Sequence, residues 1–341
     1  MATIPMTATP GSKYTRLQRR WLATHMLVGF LVPRRFEIQP VRRGFSAGAT
    51  CEVYEPQKPF RKVILMVYGF TIAGEKENRL VRFAQSFAAE GFRVVVPVLP
   101  GLTSINLEQG DLDILVNVMN DLVHESTCPI GVVGFCVGGG LALVAASQPG
   151  LEACIDPILL IGPPFSFAEV WAELWRRDIA SPETDREWND FIWQQLIMAY
   201  RSHATLKLGP TELDELSHFL EVYCFESSLS VKQEVYERLV KPHGFLDPRA
   251  VPIDMSELER LSPCQKLSGL PARVLIIHDP QDVMVPPDQS MKMLAELEQR
   301  NLPNRQRLLV SSMFSHVSFH SVINLSDLMA MLDIFGELFI D

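Results

Sequence analysis

Residues 131–140 read GVVGFCVGGG. Small and β-branched residues run into a tight turn with Cys136 at its apex and glycines crowding both sides. IGVVGF (130–135) before it reads as a buried strand, and LALVAAS (141–147) after it as a helix. Cys136 is therefore either a buried structural thiol, the commonest state of a free cysteine, or a nucleophile presented on a sharp strand-to-helix turn. The flanking pattern favours the nucleophile. Gly134 and Gly138 sit where strand and helix approach too closely for side chains, and a helix start stabilises a thiolate through its free N–H groups.

Working outward, short apolar runs alternate with helical stretches. VILMVY (63–68) is a continuous apolar run, as in a strand buried on both faces. Leu80, Phe83, Ala84, Phe87 and Ala88 follow at helical spacing, then the strand FRVVVP (92–97) and an amphipathic helix over 108–124. IDPILLIG (155–162) is a further strand. From Phe165 to Leu261 the chain becomes helical and polar-rich. ARVLIIH (272–278) resumes the strands, followed by a helix from Asp288 to about Gln299, RLLVSS (307–312) and a closing helix near Ser321–Leu338. The alternation predicts an α/β fold: a mostly parallel sheet with helices on both faces, interrupted by an inserted helical cap. The expected organisation is a basic segment at 1–45, a core at 46–164 and 262–341, and a cap (lid) at 165–261.

The 341 residues are 47% hydrophobic and 21% charged, enough to bury a full core, and their net charge of −9 argues against a nucleic-acid partner. The six cysteines show no C-x-x-C spacing, so no zinc site, redox pair or disulfide framework is expected, and the thiols suit a reducing, cytoplasmic compartment. Up to Phe45, eight cations face Glu37 alone. WLATHMLVGFLV (21–32) is too short to span a bilayer. It is open to three readings: a helix docked on the body, an organelle transit segment, or a peripheral membrane helix with Trp21, Leu27, Phe30 and Leu31 in the headgroup boundary and arginines on anionic lipid.

The strand–G-x-C-x-G–helix pattern resembles the nucleophile elbow of the α/β-hydrolase superfamily, over nearly all of residues 45–341. Within it, GFCVGG is similar to the cysteine elbows of dienelactone hydrolases and polyhydroxyalkanoate synthases, and QDVMVPPDQS (281–290) is similar to the acid segment of the smaller synthases. VPVLPGLTS (96–104) and Ser315-His316 depart from the synthase pattern, which has D-W-x-x-P and Gly-His there, and dienelactone hydrolases are shorter and lack a large cap. The resemblance implies a triad in the chain order nucleophile, acid, histidine. Asp282, in a D-x-x-V-P pattern after ARVLIIH, is expected as the acid, with Asp279 its competitor. His316, between the last strand and the closing helix, is expected as the base, with His320 its competitor; His278 reads as a local hydrogen-bonding group. The oxyanion donors are expected at the Val137 and Phe70 amides.

Trp171, Trp175 and Phe165 at the start of the cap are the candidate substrate-binding residues, either as a greasy roof over an apolar acyl group or as cap-to-body packing. Together these features predict an enzyme that cleaves a small-molecule ester, thioester or lactone through a Cys136–Asp282–His316 triad, with no cofactor and no metal. Transfer of the acyl group to an alcohol is the alternative, and a non-catalytic lipid- or partner-binding member of the fold is the second. The oligomeric state is not legible.

Overall fold

The computed structural model describes residues 13–31, 38–176, 184–223, 228–246, 254–282, 284–300, 302, 305–315, 318–319 and 324–340. Among them eight strands form one sheet: β1 (Val41–Gly44), β2 (Thr50–Tyr54), β3 (Val63–Val67), β4 (Arg93–Pro97), β5 (Ile130–Phe135), β6 (Ile155–Ile161), β7 (Val274–His278) and β8 (Gln306–Val310). Their order across the sheet is β1-β2-β4-β3-β5-β6-β7-β8. The ladders from β4 to β8 are parallel, whereas β1–β2 and β2–β4 are antiparallel.

Every residue of β3 and of β7 is buried, because helices cover both faces of the sheet. Those helices include α1 (Arg16–Leu31), α2 (Asn78–Ala89), α3 (Pro100–Thr103), α4 (Gln109–Glu125) and α5 (Cys136–Ala146). The inward stripe of α2 is the expected Leu80, Phe83, Ala84, Phe87 and Ala88, and Glu77 caps its start by accepting from Leu80 N at 2.8 Å.

Two expectations need correction. The helix after the glycine-rich turn starts at Cys136 itself and not near residue 141. The two antiparallel strands at one side of the sheet, the edge strand β1 and its neighbour β2, were not expected at all. β1 is short, exposed and carries two arginines, as sheet edges often do, while β2 buries only alternate residues at first, Cys51 and Val53.

Between β6 and β7 lie α6 (Phe167–Arg176), α7 (Asp185–Arg201), α8 (His203–Leu206), α9 (Pro210–His218), α10 (Leu229–Leu239) and α11 (Met255–Leu261). The two ends of this excursion are pinned together. Phe167 N donates to Ser262 Oγ at 2.8 Å and Cys264 N to Phe165 O at 3.1 Å. Then α12 (Asp288–Glu298) precedes β8, and α13 (Leu325–Gly336) closes the described chain.

The helix α1 packs against α2 and α13, burying Leu22, Ala23, Met26 and Leu27, and Phe30 meets the edge of Phe83. Leu27 is thus spent on the core and is not offered to a lipid surface; Trp21 stays exposed. The side chain of Leu31 and residues 34 and 35 lie outside the described set. Among the described residues no helix is long and apolar enough to cross a membrane.

The arginines of α1 are paired. Arg16 and Arg20 both grip Asp333, and Arg19 meets Glu337, which also binds the buried Arg273 at 2.9 Å. Burial pushes the Asp333 carboxyl up, but the bonds from Arg20 and Arg16 outweigh it and hold it down at about 2. A depressed folded-state value stabilises the fold above the unfolded carboxylate pKa, by about 2 kcal/mol at neutral pH, and that contribution is lost as pH falls toward 2. Asp333→Asn should therefore lower unfolding free energy by about 2 kcal/mol at pH 7 and far less at pH 2. Chemical denaturation at both pH values checks this, and an equal loss at both would contradict it.

Candidate active site

The strand β5 ends at Phe135 in extended geometry, and the next residue, Cys136, has φ 47° while opening α5. A non-glycine residue in that left-handed region is strained by roughly 1–3 kcal/mol, and such strain persists only where the surroundings over-determine it. The glycines are what allow it. A Cβ on Gly134 would stand 2.4 Å from Gly139 Cα, and one on Gly138 would stand 1.8 Å from Tyr68 O. Backbone therefore packs directly on backbone, and the turn between β5 and α5 has no room to relax.

The segment after β3 closes the other side. A Cβ on Gly69 would lie 2.9 Å from Cys136 Cβ and 3.7 Å from its Sγ. The structure thus brings Tyr68-Gly69-Phe70 alongside Cys136. Val137 lies in the first turn of α5, where backbone N–H groups have no partner within the helix. Tyr68 anchors this segment: its buried hydroxyl accepts from Leu99 N at 2.8 Å, and burial pushes its pKa up. Leu99 in turn leads into α3, whose Gly101 and Leu102 amides donate to the buried Asp111 at 3.0 and 2.8 Å. Burial lifts the Asp111 carboxyl to about 6. The sequence reading missed this support. Asp111 looks there like any acid near a helix start.

Because β5, β6 and β7 are parallel neighbours, Cys136 and the loop after β7 emerge at the same edge of the sheet. Asp282 is buried in that loop, its Oδ1 accepting from Met284 N at 2.9 Å and Val285 N at 3.0 Å. Its rival Asp279 accepts from Gln281 N at 3.0 Å, a turn-forming bond. His278 is buried too. Its Nε2 lies 2.8 Å from Val285 O, and a carbonyl only accepts, so this nitrogen carries a proton; Nδ1 shares a hydrogen bond with Ser290 Oγ at 2.6 Å. The same Nε2 is 3.6 Å from Asp282 Oδ2. His316 and its competitor His320 lie outside the described residues; Ser315 and Ser318, on either side of His316, pair with each other.

No family model matches the chain, and no curated protein matches it. Solved structures do. An acylaminoacyl peptidase in complex with Z-Gly-Gly-Phe-chloromethyl ketone superposes with a TM-score of 0.50 at 17% identity, covering 87% of this chain and 40% of its own. The uncomplexed Pyrococcus horikoshii acylaminoacyl peptidase gives 0.50 at 16%, covering 89% and 41%. A Mycobacterium tuberculosis puromycin-hydrolyzing peptidase gives 0.53 at 14%, covering 90% and 40%. The chain has the α/β-hydrolase fold. It spans about 40% of the length of these peptidases, and at such identities what is shared is the fold.

Within this fold the excursion between β6 and β7 builds a small core of its own. Phe191, Ile192, Leu196, Leu216, Phe219 and Tyr236 are buried together, with Phe70 and Ile72 from the β3 loop packed against them. Of the candidate substrate-binding residues, Trp171 is half-buried against the main core. Phe165 is buried within that core, with its N–H donating to Gln289 Oε1. The side chain of Trp175 lies outside the described set. A surface groove of about 560 Å³, lined by Gln109, Val116, Val144, Gln148, Arg260 and Lys266 among others, borders the far end of α5 from Cys136.

Loss of the Tyr68 hydroxyl tests the support of the Cys136 site. Tyr68→Phe leaves the Leu99 amide buried and unpaired, so unfolding free energy should fall by about 1–3 kcal/mol. A urea titration measures this; an unchanged midpoint would show that the anchor carries no weight.

Proposed function

We infer that the protein is an acyl-cleaving enzyme in which Cys136 attacks the carbonyl carbon of an ester, thioester or lactone. The observation that carries this reading is the strained Cys136 turn, with the Gly69–Phe70 segment beside it and the buried Asp282 loop at the same sheet edge. The similarity of GFCVGG to the cysteine elbows of dienelactone hydrolases and polyhydroxyalkanoate synthases points the same way.

In this reading His316 takes the Cys136 thiol proton as Sγ bonds to the carbonyl carbon. The carbonyl oxygen becomes an oxyanion held by the Val137 and Phe70 amides. Collapse expels the alcohol or thiol, which takes the proton from His316 and leaves a thioester on Cys136. Water then loses a proton to His316 and attacks the thioester carbonyl; the C–S bond breaks, the acid leaves, and Cys136 Sγ takes the proton back from His316. Asp282 holds the His316 ring in the required tautomer and stabilises the imidazolium. An alcohol in place of water makes the enzyme an acyltransferase. The apolar residues Phe70 and Ile72 under the cap suit an apolar acyl group.

Steady-state hydrolysis of p-nitrophenyl esters tests the assignment. Cys136→Ala and His316→Ala should each lower kcat/KM by about a thousandfold or more while circular dichroism stays unchanged. Full activity in Cys136→Ala would refute the reading, and a collapse in His320→Ala with His316→Ala unaffected would move the base. Product analysis with added alcohol separates hydrolysis from transfer.

A further inference from the structure

Arg201 ends α7 and is half-buried, with its guanidinium 6.0 Å from the centre of the Trp171 ring. Comparable arginines are spent on partners. Arg273 binds Asp156 and Glu337, and Arg300 donates to the Leu270 and Ala272 carbonyls. Arg201 has neither an acid nor a carbonyl on it among the described residues, and burial alone lowers its pKa with no carboxylate to offset the cost. A partly desolvated cation without an anion is unfavourable, and the Trp171 face offsets only part of that.

Its position ties it to Cys136. The Phe167 ring lies against α5 at Gly140, where a Cβ would meet Cζ at 2.7 Å, and Gly140 is one turn past Cys136. Trp171 is one turn along α6 from Phe167 and so shares its face. Phe167, Trp171 and Arg201 therefore form a line from the first turns of the nucleophile helix to the end of α7. The same helix packs Ile192 and Leu196 in the cluster that Phe70 and Ile72 join.

We propose that Arg201, backed by Trp171, binds an oxyanion carried by the substrate, a carboxylate or a phosphate, so that the acyl compound turned over at Cys136 is anionic at the end remote from the reacting carbonyl. This rests on the Cys136 reading above. The guanidinium presents paired N–H donors suited to either anion, and the half-buried Trp171 ring beside it offers an apolar face to the chain that carries the anion.

Two substrate pairs test it. The first sets mono-p-nitrophenyl glutarate against p-nitrophenyl pentanoate, and the second butyryl-CoA against the neutral butyryl-N-acetylcysteamine. In the wild type at least one pair should favour the anion by about tenfold or more in kcat/KM, and the pair that does so names the carboxylate or the phosphate. The ratio is read within each variant, so general loss of activity cancels. It should fall to near one in Arg201→Gln, drop below one in Arg201→Glu, and survive in part in Arg201→Lys. No preference in either pair, or a ratio untouched by Arg201→Glu, overturns the proposal while the Cys136 reading stands. If no ester or thioester turns over, the Cys136 reading is what fails. Calorimetric titration with glutarate and with inorganic pyrophosphate then decides: binding lost in Arg201→Gln supports the anion site, and no binding to the wild type overturns it.

Discussion

Everything at the candidate site depends on the contact between the backbones of β5 and α5. Gly134 sits on Gly139, and Gly138 sits on the carbonyl of Tyr68, with no side chain between them. That approach fixes where the strand stops and where the helix begins. The residue caught between them, Cys136, is forced to φ 47° and projects from the edge of the sheet. The strain is borne by a buried strand on one side and a fully buried helix on the other, so it cannot be relieved locally. The position of the Cys136 side chain is thus set by the fold itself.

The rest of the molecule holds that contact in place. On one flank Asp111 fixes α3, Leu99 leads directly into α3, and Leu99 fixes Tyr68 and hence Gly69. On the other, Gln289 of α12 accepts from the Phe165 and Ser166 amides at the entrance to the helical excursion, while the adjacent Ser290 bonds His278 at the end of β7. The Asp282 loop and the base of the excursion therefore share one short piece of helix. A buried ion network of Arg273 with Asp156 and Glu337, joined by Arg19, ties β6, β7, α1 and the turn after α13 together.

Much of this was legible in the sequence, and the reasons differ by element. The strands β3, β4, β5 and β7 announce themselves as apolar runs because helices cover both of their faces. The turn at Cys136 is legible because glycine spacing reports backbone contact directly. The strands β1 and β2 were not legible: VRRG carries charge where a buried strand would not, and TCEVY alternates over too few residues. The inward face of α1 was blurred for a related reason. Its apolar residues run all round the helix, with Leu17 and Trp21 outside and Met26 and Leu27 inside, so composition alone did not choose between core and lipid. Asp111 was invisible, because its significance lies in its burial and in the amides it accepts from.

The Cys51 thiol is buried in β2, and that burial pushes it up to about 12. Brief incubation with p-nitrophenyl butanoate, acid quenching, proteolysis and mass spectrometry of the peptides tests the central claim most directly. The account predicts the butanoyl mass on the peptide bearing Cys136 alone, with the other five cysteines unmodified, and its disappearance once the ester is consumed. Ester turnover with Cys136 unmodified and the acyl group on another residue would contradict it.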